Sequence, residues 1–273
     1  MPRRRIEPFY FGTPEKLLFG CYHAPQSSTT RDCSIILCAP MGREYISSHR
    51  AIRQLALRLS NAGFHVLRFD FYGCGDSAGN AEQGEICQWV ADISTAIGEI
   101  RSRSGLVKVC LVGCRLGGTL AVMAGAERGD IGGLVLWDAV VSGKSYVEEL
   151  IALHQALLQR FPTKPKREAI DGALHRGVLT EILGFALTDF MRTELQKIDL
   201  LAIRQKPAND ILLVESNDIP GEGQLAEHLK NLNAHLETQH LPSPQIWTQD
   251  SFKALVPNQI LQAVVSWISE VYS

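Results

Sequence analysis

The chain has 273 residues, a length that suits one large α/β domain or two small ones. Hydrophobic residues make up 45% and charged residues 21%, the composition of an ordinary soluble globular protein. A formal net charge of −2 gives no electrostatic reason to expect nucleic acid or an anionic membrane as partner, and no stretch reaches the roughly 18 apolar residues of a membrane span.

The basic start, Pro2-Arg3-Arg4-Arg5, is not followed by a long apolar run, so no secretory signal is expected. The seven cysteines (Cys21, Cys33, Cys38, Cys74, Cys87, Cys110 and Cys114) contain no C-x-x-C pair. Free thiols in a reducing cytoplasm follow as the expectation. Residues 7–24 read as one or two antiparallel edge strands. Ser34-Ile35-Ile36-Leu37-Cys38-Ala39 is a continuous apolar run, as in a strand buried on both faces. It enters a loop, Pro40-Met41-Gly42-Arg43-Glu44-Tyr45, followed by a helix over about 49–63. Phe64–Phe69 is the next strand, closed by the glycine-punctuated turn Asp70-Phe71-Tyr72-Gly73-Cys74-Gly75-Asp76-Ser77. A helix over about 84–104 leads to Lys108-Val109-Cys110-Leu111-Val112, a run of strand character ending in a glycine.

Gly113-Cys114-Arg115-Leu116-Gly117-Gly118 then has the outline of a nucleophile elbow, in which a strand turns sharply into a helix and holds out one side chain. The glycines serve that turn, because a Cβ two positions from the strained central residue would strike a neighbouring strand or helix. The central residue here is Arg115. Helix 116–127 and strand Gly133–Asp138 follow. Strands alternating with helices imply a parallel sheet. From about 142 to 207 the rhythm turns helical, with apolar spacing at Val147, Leu150, Ile151, Leu153, Leu157 and Leu158 and a break at Phe161–Pro165. This stretch is too long for a loop and reads as an inserted helical lid between core segments 1–141 and 208–273. The core resumes with strand Ile211–Val214, helix 222–232, a strand somewhere in 234–247, and a final helix over about 257–270.

With these motifs in this order the chain resembles the α/β-hydrolase superfamily. The turn Asp70–Ser77 is similar to its D-x-x-G-x-G-x-S motif. More narrowly, Pro40–Glu44, Gly73–Gly79, Trp89-Val90-Ala91-Asp92 and Leu136-Trp137-Asp138 resemble the exosortase A system-associated hydrolases, bacterial proteins near the serine aminopeptidase-like group. The resemblance implies a mostly parallel central sheet with helices on both faces and an inserted lid. A working triad in this fold needs a nucleophile at the elbow, an acid after a later strand and a histidine after the last strand. Arg115 cannot be the nucleophile, since its guanidinium stays protonated and delocalised. Asp218 falls at the acid position, and the histidine position, Pro242–Asp250, holds no histidine.

Two readings of Arg115 stand side by side. In one, it binds a ligand carboxylate or phosphate; in the other, internal carboxylates neutralise it, with Asp138, Asp218, Glu44 and Asp70 approaching the same sheet edge. The fold implies that the backbone amides of Leu116 and Met41 form an oxyanion hole. Cys114, one residue from the elbow centre, is expected to pack into the core although it neighbours the pocket. Asp138 is an alternative acid or the partner of Arg115, and Glu44 a pocket acid or a solvated loop carboxylate. No histidine and carboxylate spacing indicates a metal, and no cofactor is expected. The expected function is that of a non-standard hydrolase-fold protein that acts on or binds a small acyl, ester or carboxylate-bearing molecule. The other class is a catalytically inactive pocket serving as a binding or accessory protein in a biosynthetic pathway. The fold alone does not choose between them, and the oligomeric state is not legible.

Overall fold

The structure, a computed structural model, describes residues 6–160, 179–247 and 255–273. The expected break at Phe161–Pro165 lies outside the described residues, as does the basic start at 2–5.

Eight strands form one sheet: β1 (Ile6–Thr13), β2 (Lys16–His23), β3 (Cys33–Cys38), β4 (His65–Phe69), β5 (Lys108–Cys114), β6 (Gly133–Trp137), β9 (Asp210–Glu215) and β10 (His235–His240). Their spatial order is β1-β2-β4-β3-β5-β6-β9-β10. The β2 strand runs antiparallel to β1 and β4, and every pairing from β4 to β10 is parallel. A parallel sheet of this kind must be covered on both sides, and the alternation within β3 shows how. Ile35 and Leu37 face one apolar layer, with Leu55 and Leu59 of α1 (Gly42–Asn61) and Ile260 and Val264 of α7 (Asn258–Val271). Ile36 faces the other, with Trp89, Ile93 and Ile97 of α2 (Ile86–Ser104), Leu120 of α3 (Leu116–Arg128) and Leu225 of α6 (Glu222–Asn231). Each such fully buried aliphatic side chain contributes about 1.5–3 kcal/mol relative to exposure.

Two elements differ from what the pattern predicts. Helix α1 begins at Gly42, not near 49, so Glu44 lies in its first turn and not in a loop. Pro40 and Gly42 read as loop residues in sequence, but Gly42 takes φ +56° as the chain enters the helix. The second difference is in the segment between β6 and β9. It contains α4 (Gly143–Arg160) and α5 (Asp189–Gln196), but also an antiparallel hairpin, β7 (Leu179–Ile182) with β8 (Phe185–Thr188). Its two-residue turn, Leu183-Gly184, has φ of 55° and 88°, the positive pair that matches the twist of flanking strands. Leucine at the first turn position carries no turn signal, which hid the hairpin inside an apparently helical stretch. Among the described residues no helix is long and apolar enough to cross a membrane.

Candidate functional site

The site lies where β3, β5 and β6 end side by side: Cys38 pairs with Gly113, and Cys114 with Trp137. Arg115 occupies the turn between β5 and α3 with φ 52° and ψ −129°, a region that costs a side-chain-bearing residue of order 1–3 kcal/mol. The turn is held by its backbone: Arg115 N–H donates to Trp137 O at 3.0 Å, and Gly118 N–H donates to Arg115 O at 3.0 Å. The glycines are required for the reason the sequence suggests. A Cβ on Gly113 would lie 2.5 Å from the Gly118 Cα, and one on Gly117 would strike the carbonyl oxygens of Cys38 and Ala39. Asp138, at the end of β6, also has positive φ, 45°, and is fixed by its N–H bond to Val214 O.

The Arg115 side chain is 1% exposed and is not free. Its Nε donates to Glu44 Oε1 at 2.9 Å, and its Nη2 to Glu149 Oε2 at 2.6 Å. Tyr146 donates its hydroxyl to the other Glu44 oxygen at 2.8 Å. Two aromatic rings flank the guanidinium, Tyr146 at 5.4 Å and Trp247 at 5.3 Å, and Trp247 packs edge-on against Trp137. Burial works against the charge, but Glu44 and Glu149 outweigh it and raise the Arg115 pKa, so the cation persists. Burial lifts the Glu44 carboxyl above its usual range, while Arg115 and the two donated bonds pull it back.

The candidate residues sort clearly. Glu44 and Arg115 meet. Asp138 takes other partners, accepting from Ser216 N–H and Ser216 Oγ, both at 2.6 Å, and from Asn217 Nδ2 at 3.0 Å. Asp218 is exposed in the turn after β9 and makes none of these contacts. Cys114 is buried in the α1-side layer beside Trp137 and Trp247, and burial pushes its thiol far above the ordinary range. Leu116 is the first residue of α3, so its N–H belongs to the first-turn amides that lack an intrahelical acceptor. Met41 precedes α1 at the adjoining end of β3.

Sequence reasoning missed Glu149, Tyr146, Trp247, Ser216, Asn217 and Glu222. One signal was present: Tyr146 and Glu149 are three apart in α4, hence on one face, and that face meets the elbow. Glu222, in the first turn of α6, is 4% exposed with Oε1 unpartnered among the described residues. Its carboxyl is raised to about 9 by burial, then by Asp138 and Glu215, so it stays protonated at neutral pH. Above Glu44 the space is nearly closed. A cavity of about 20 Å³, little more than one water, lies among Met41, Gly42, Glu44, Tyr146 and the hairpin residues Ile182 and Phe185. Among the described residues no group of histidine, cysteine and carboxylate side chains is arranged to hold a metal ion.

Solved structures share this architecture. Est1E of Butyrivibrio proteoclasticus, solved with ferulic acid bound, is 18% identical with TM-score 0.68, over 96% of this chain and 98% of that one. A Pyrococcus furiosus esterase is 15% identical with TM-score 0.66, over 99% and 92%. The proline iminopeptidase of Mycobacterium smegmatis is 12% identical with TM-score 0.65, over 97% and 98%. No curated protein sequence matches the chain. Residues 33–175 match the Hydrolase_4 family, described as serine aminopeptidase, S33, and that match spans more than half of the sequence. The fold is thus an α/β-hydrolase fold, and the chain belongs to the serine aminopeptidase S33 family.

Proposed function

We propose that this protein binds a small acyl, ester or carboxylate-bearing molecule at the elbow without forming an acyl-enzyme. Arg115 stands where the fold places its attacking hydroxyl, and no histidine occurs anywhere after His240 to complete a triad. The observation that carries the reading is the unequal pair of carboxylates on Arg115. Glu44 is 5% exposed and bound from two sides, whereas Glu149 is 36% exposed and comes from the segment inserted between β6 and β9. Glu44 is the resident counter-ion. Glu149 is the group that a ligand carboxylate would displace, with the amides of Leu116 and Met41 beside it. Segment 142–207 then acts as a lid over core segments 1–141 and 208–273, and Glu149 latches it. The motifs at Pro40–Glu44 and Gly73–Gly79 support a place near the exosortase A system-associated hydrolases within the family.

The test combines a fluorophosphonate probe with calorimetric titration of ferulate and butyrate. The wild-type protein should not be labelled, and Glu149→Ala should tighten binding of at least one carboxylate by about tenfold, since the internal competitor is gone. Labelling of the wild type would overturn the absence of a nucleophile. Binding indifferent to both Glu149→Ala and Arg115→Met would overturn the site.

A further inference from the structure

A second arginine is placed quite differently. On β4, Val66 and Arg68 point to the α1 side of the sheet, the first into the core and the second to the wall of a cavity of about 220 Å³. That cavity lies between α1 and the β2–β4 edge, and none of the residues around Arg115 line it. Phe19, Leu37, Ile52 and Phe69 form apolar walls, and Arg53 of α1 lies at the same opening. The volume exceeds the roughly 150 Å³ of an engineered protein cavity that accepts benzene.

The guanidinium of Arg68 is half-buried and has no carboxylate within ion-pair distance among the described residues. Its Nε donates to His23 Nε2 at 3.2 Å, which requires a neutral His23. The nearby carboxylate, Asp70, has both oxygens engaged, Oδ1 by the Tyr45 hydroxyl at 2.8 Å and Oδ2 by Asp76 N–H at 3.0 Å. Asp76 itself is exposed at the rim. Among the described residues the two terminal nitrogens of Arg68 have no acceptor, and Arg53 beside it forms no ion pair. A half-buried guanidinium whose nearby carboxylate, Asp70, attracts it without touching it is only partly balanced, and it suits an oxyanion bound by two parallel bonds.

We propose that this cavity is a binding site for a ring-sized organic anion, a carboxylate or phosphate monoester. Its oxyanion sits on Arg68 with Arg53 alongside, and its apolar body lies against Phe19, Ile52 and Phe69. The site is independent of the elbow.

Titration of phenyl phosphate, benzoate and neutral benzyl alcohol against the full chain tests this, with inorganic phosphate as the bodiless control. Phenyl phosphate or benzoate should bind measurably, inorganic phosphate more weakly, and benzyl alcohol not at all at the same concentrations. Arg68→Gln should weaken binding about tenfold to a hundredfold, and Arg53→Gln, on the exposed face of α1, by several-fold. Glu149→Ala should leave the binding of phenyl phosphate, which carries no carboxylate for the elbow, unchanged. No binding by either organic anion would overturn the site. So would binding of phenyl phosphate that persists unchanged in both arginine variants, or that responds to Glu149→Ala and so belongs to the elbow. Should Arg68→Gln fail to fold, Arg53→Gln alone decides the same question.

Discussion

Arg115 and Arg68 are two interior arginines on opposite sides of β3, and they have been treated in opposite ways. Arg115 is surrounded: two carboxylates, two rings and a water-sized gap leave nothing for it to do without rearrangement. Arg68 is half-buried beside a large cavity, with only a histidine nitrogen as hydrogen-bond partner among the described residues. The pKa shifts follow. Burial pushes both down, but at Arg115 Glu44 and Glu149 reverse the direction, whereas at Arg68 the net shift is downward despite Cys21, Tyr45 and Asp70. Arg115 can receive a ligand anion only by giving up Glu149, whereas Arg68 has no contacting carboxylate among the described residues to give up.

The largest effect should come from breaking the closed side. Arg115→Met leaves Glu44 buried with a charge and no cation, and should cost about 3–5 kcal/mol in urea denaturation. Arg115→Met combined with Glu44→Gln should recover much of that loss, because the stranded carboxylate is removed with its partner. If the double variant is as unstable as the single, the rings and not the ion pair hold the elbow.

The sequence carried the elbow well and its electrostatics poorly, for physical reasons. Gly113 and Gly117 mark a local steric demand, and local demands are written in adjacent residues. The strands of the sheet are legible in the same way, from continuous apolar runs. The counter-ions are not local: Glu149 lies 34 residues beyond Arg115, in a segment whose docking no short-range pattern encodes. Asp138 stood as a candidate partner for Arg115, yet Ser216 and Asn217 take its oxygens, and that depends on how β6 and β9 align. Arg68 gave no sign at all. A single arginine in an alternating strand reads as a solvent-facing residue, and only the position of α1 turns that face inward.

The second effect concerns the acid behind Asp138. Glu222 has a native carboxyl raised to about 9, against an ordinary value near 4.5, so the folded state holds a proton that the unfolded chain releases. Stability must therefore fall as pH rises between these values and level off above about 9. Glu222→Gln mimics the protonated form. It should flatten that slope and exceed the wild type by at least about 1 kcal/mol at pH 8, while matching it near pH 4.5. Parallel slopes for the two proteins would show Glu222 to be ionised in the fold and balanced by some other group.

The third effect belongs to the open side, and its sign with pH is opposite. His23 is lowered to about 4 by burial, then by Arg68 and Arg53, so it is neutral in the native state while the unfolded chain takes up a proton below about 6.5. Stability is lost there as pH falls from about 6.5 towards 4. Arg68→Met removes the second-ranked of those causes, so the loss on acidification should become shallower. At pH 7 the same change should cost about 1–3 kcal/mol, because it leaves buried His23 Nε2 without a donor, and less than Arg115→Met, since no buried carboxylate is stranded when this cation goes. The pairing of Arg68 Nε with His23 Nε2 makes the outcome sharp. If Arg68→Met costs as much as Arg115→Met at neutral pH, the cation is balanced within the chain after all, and the cavity is packing space with no ligand to receive.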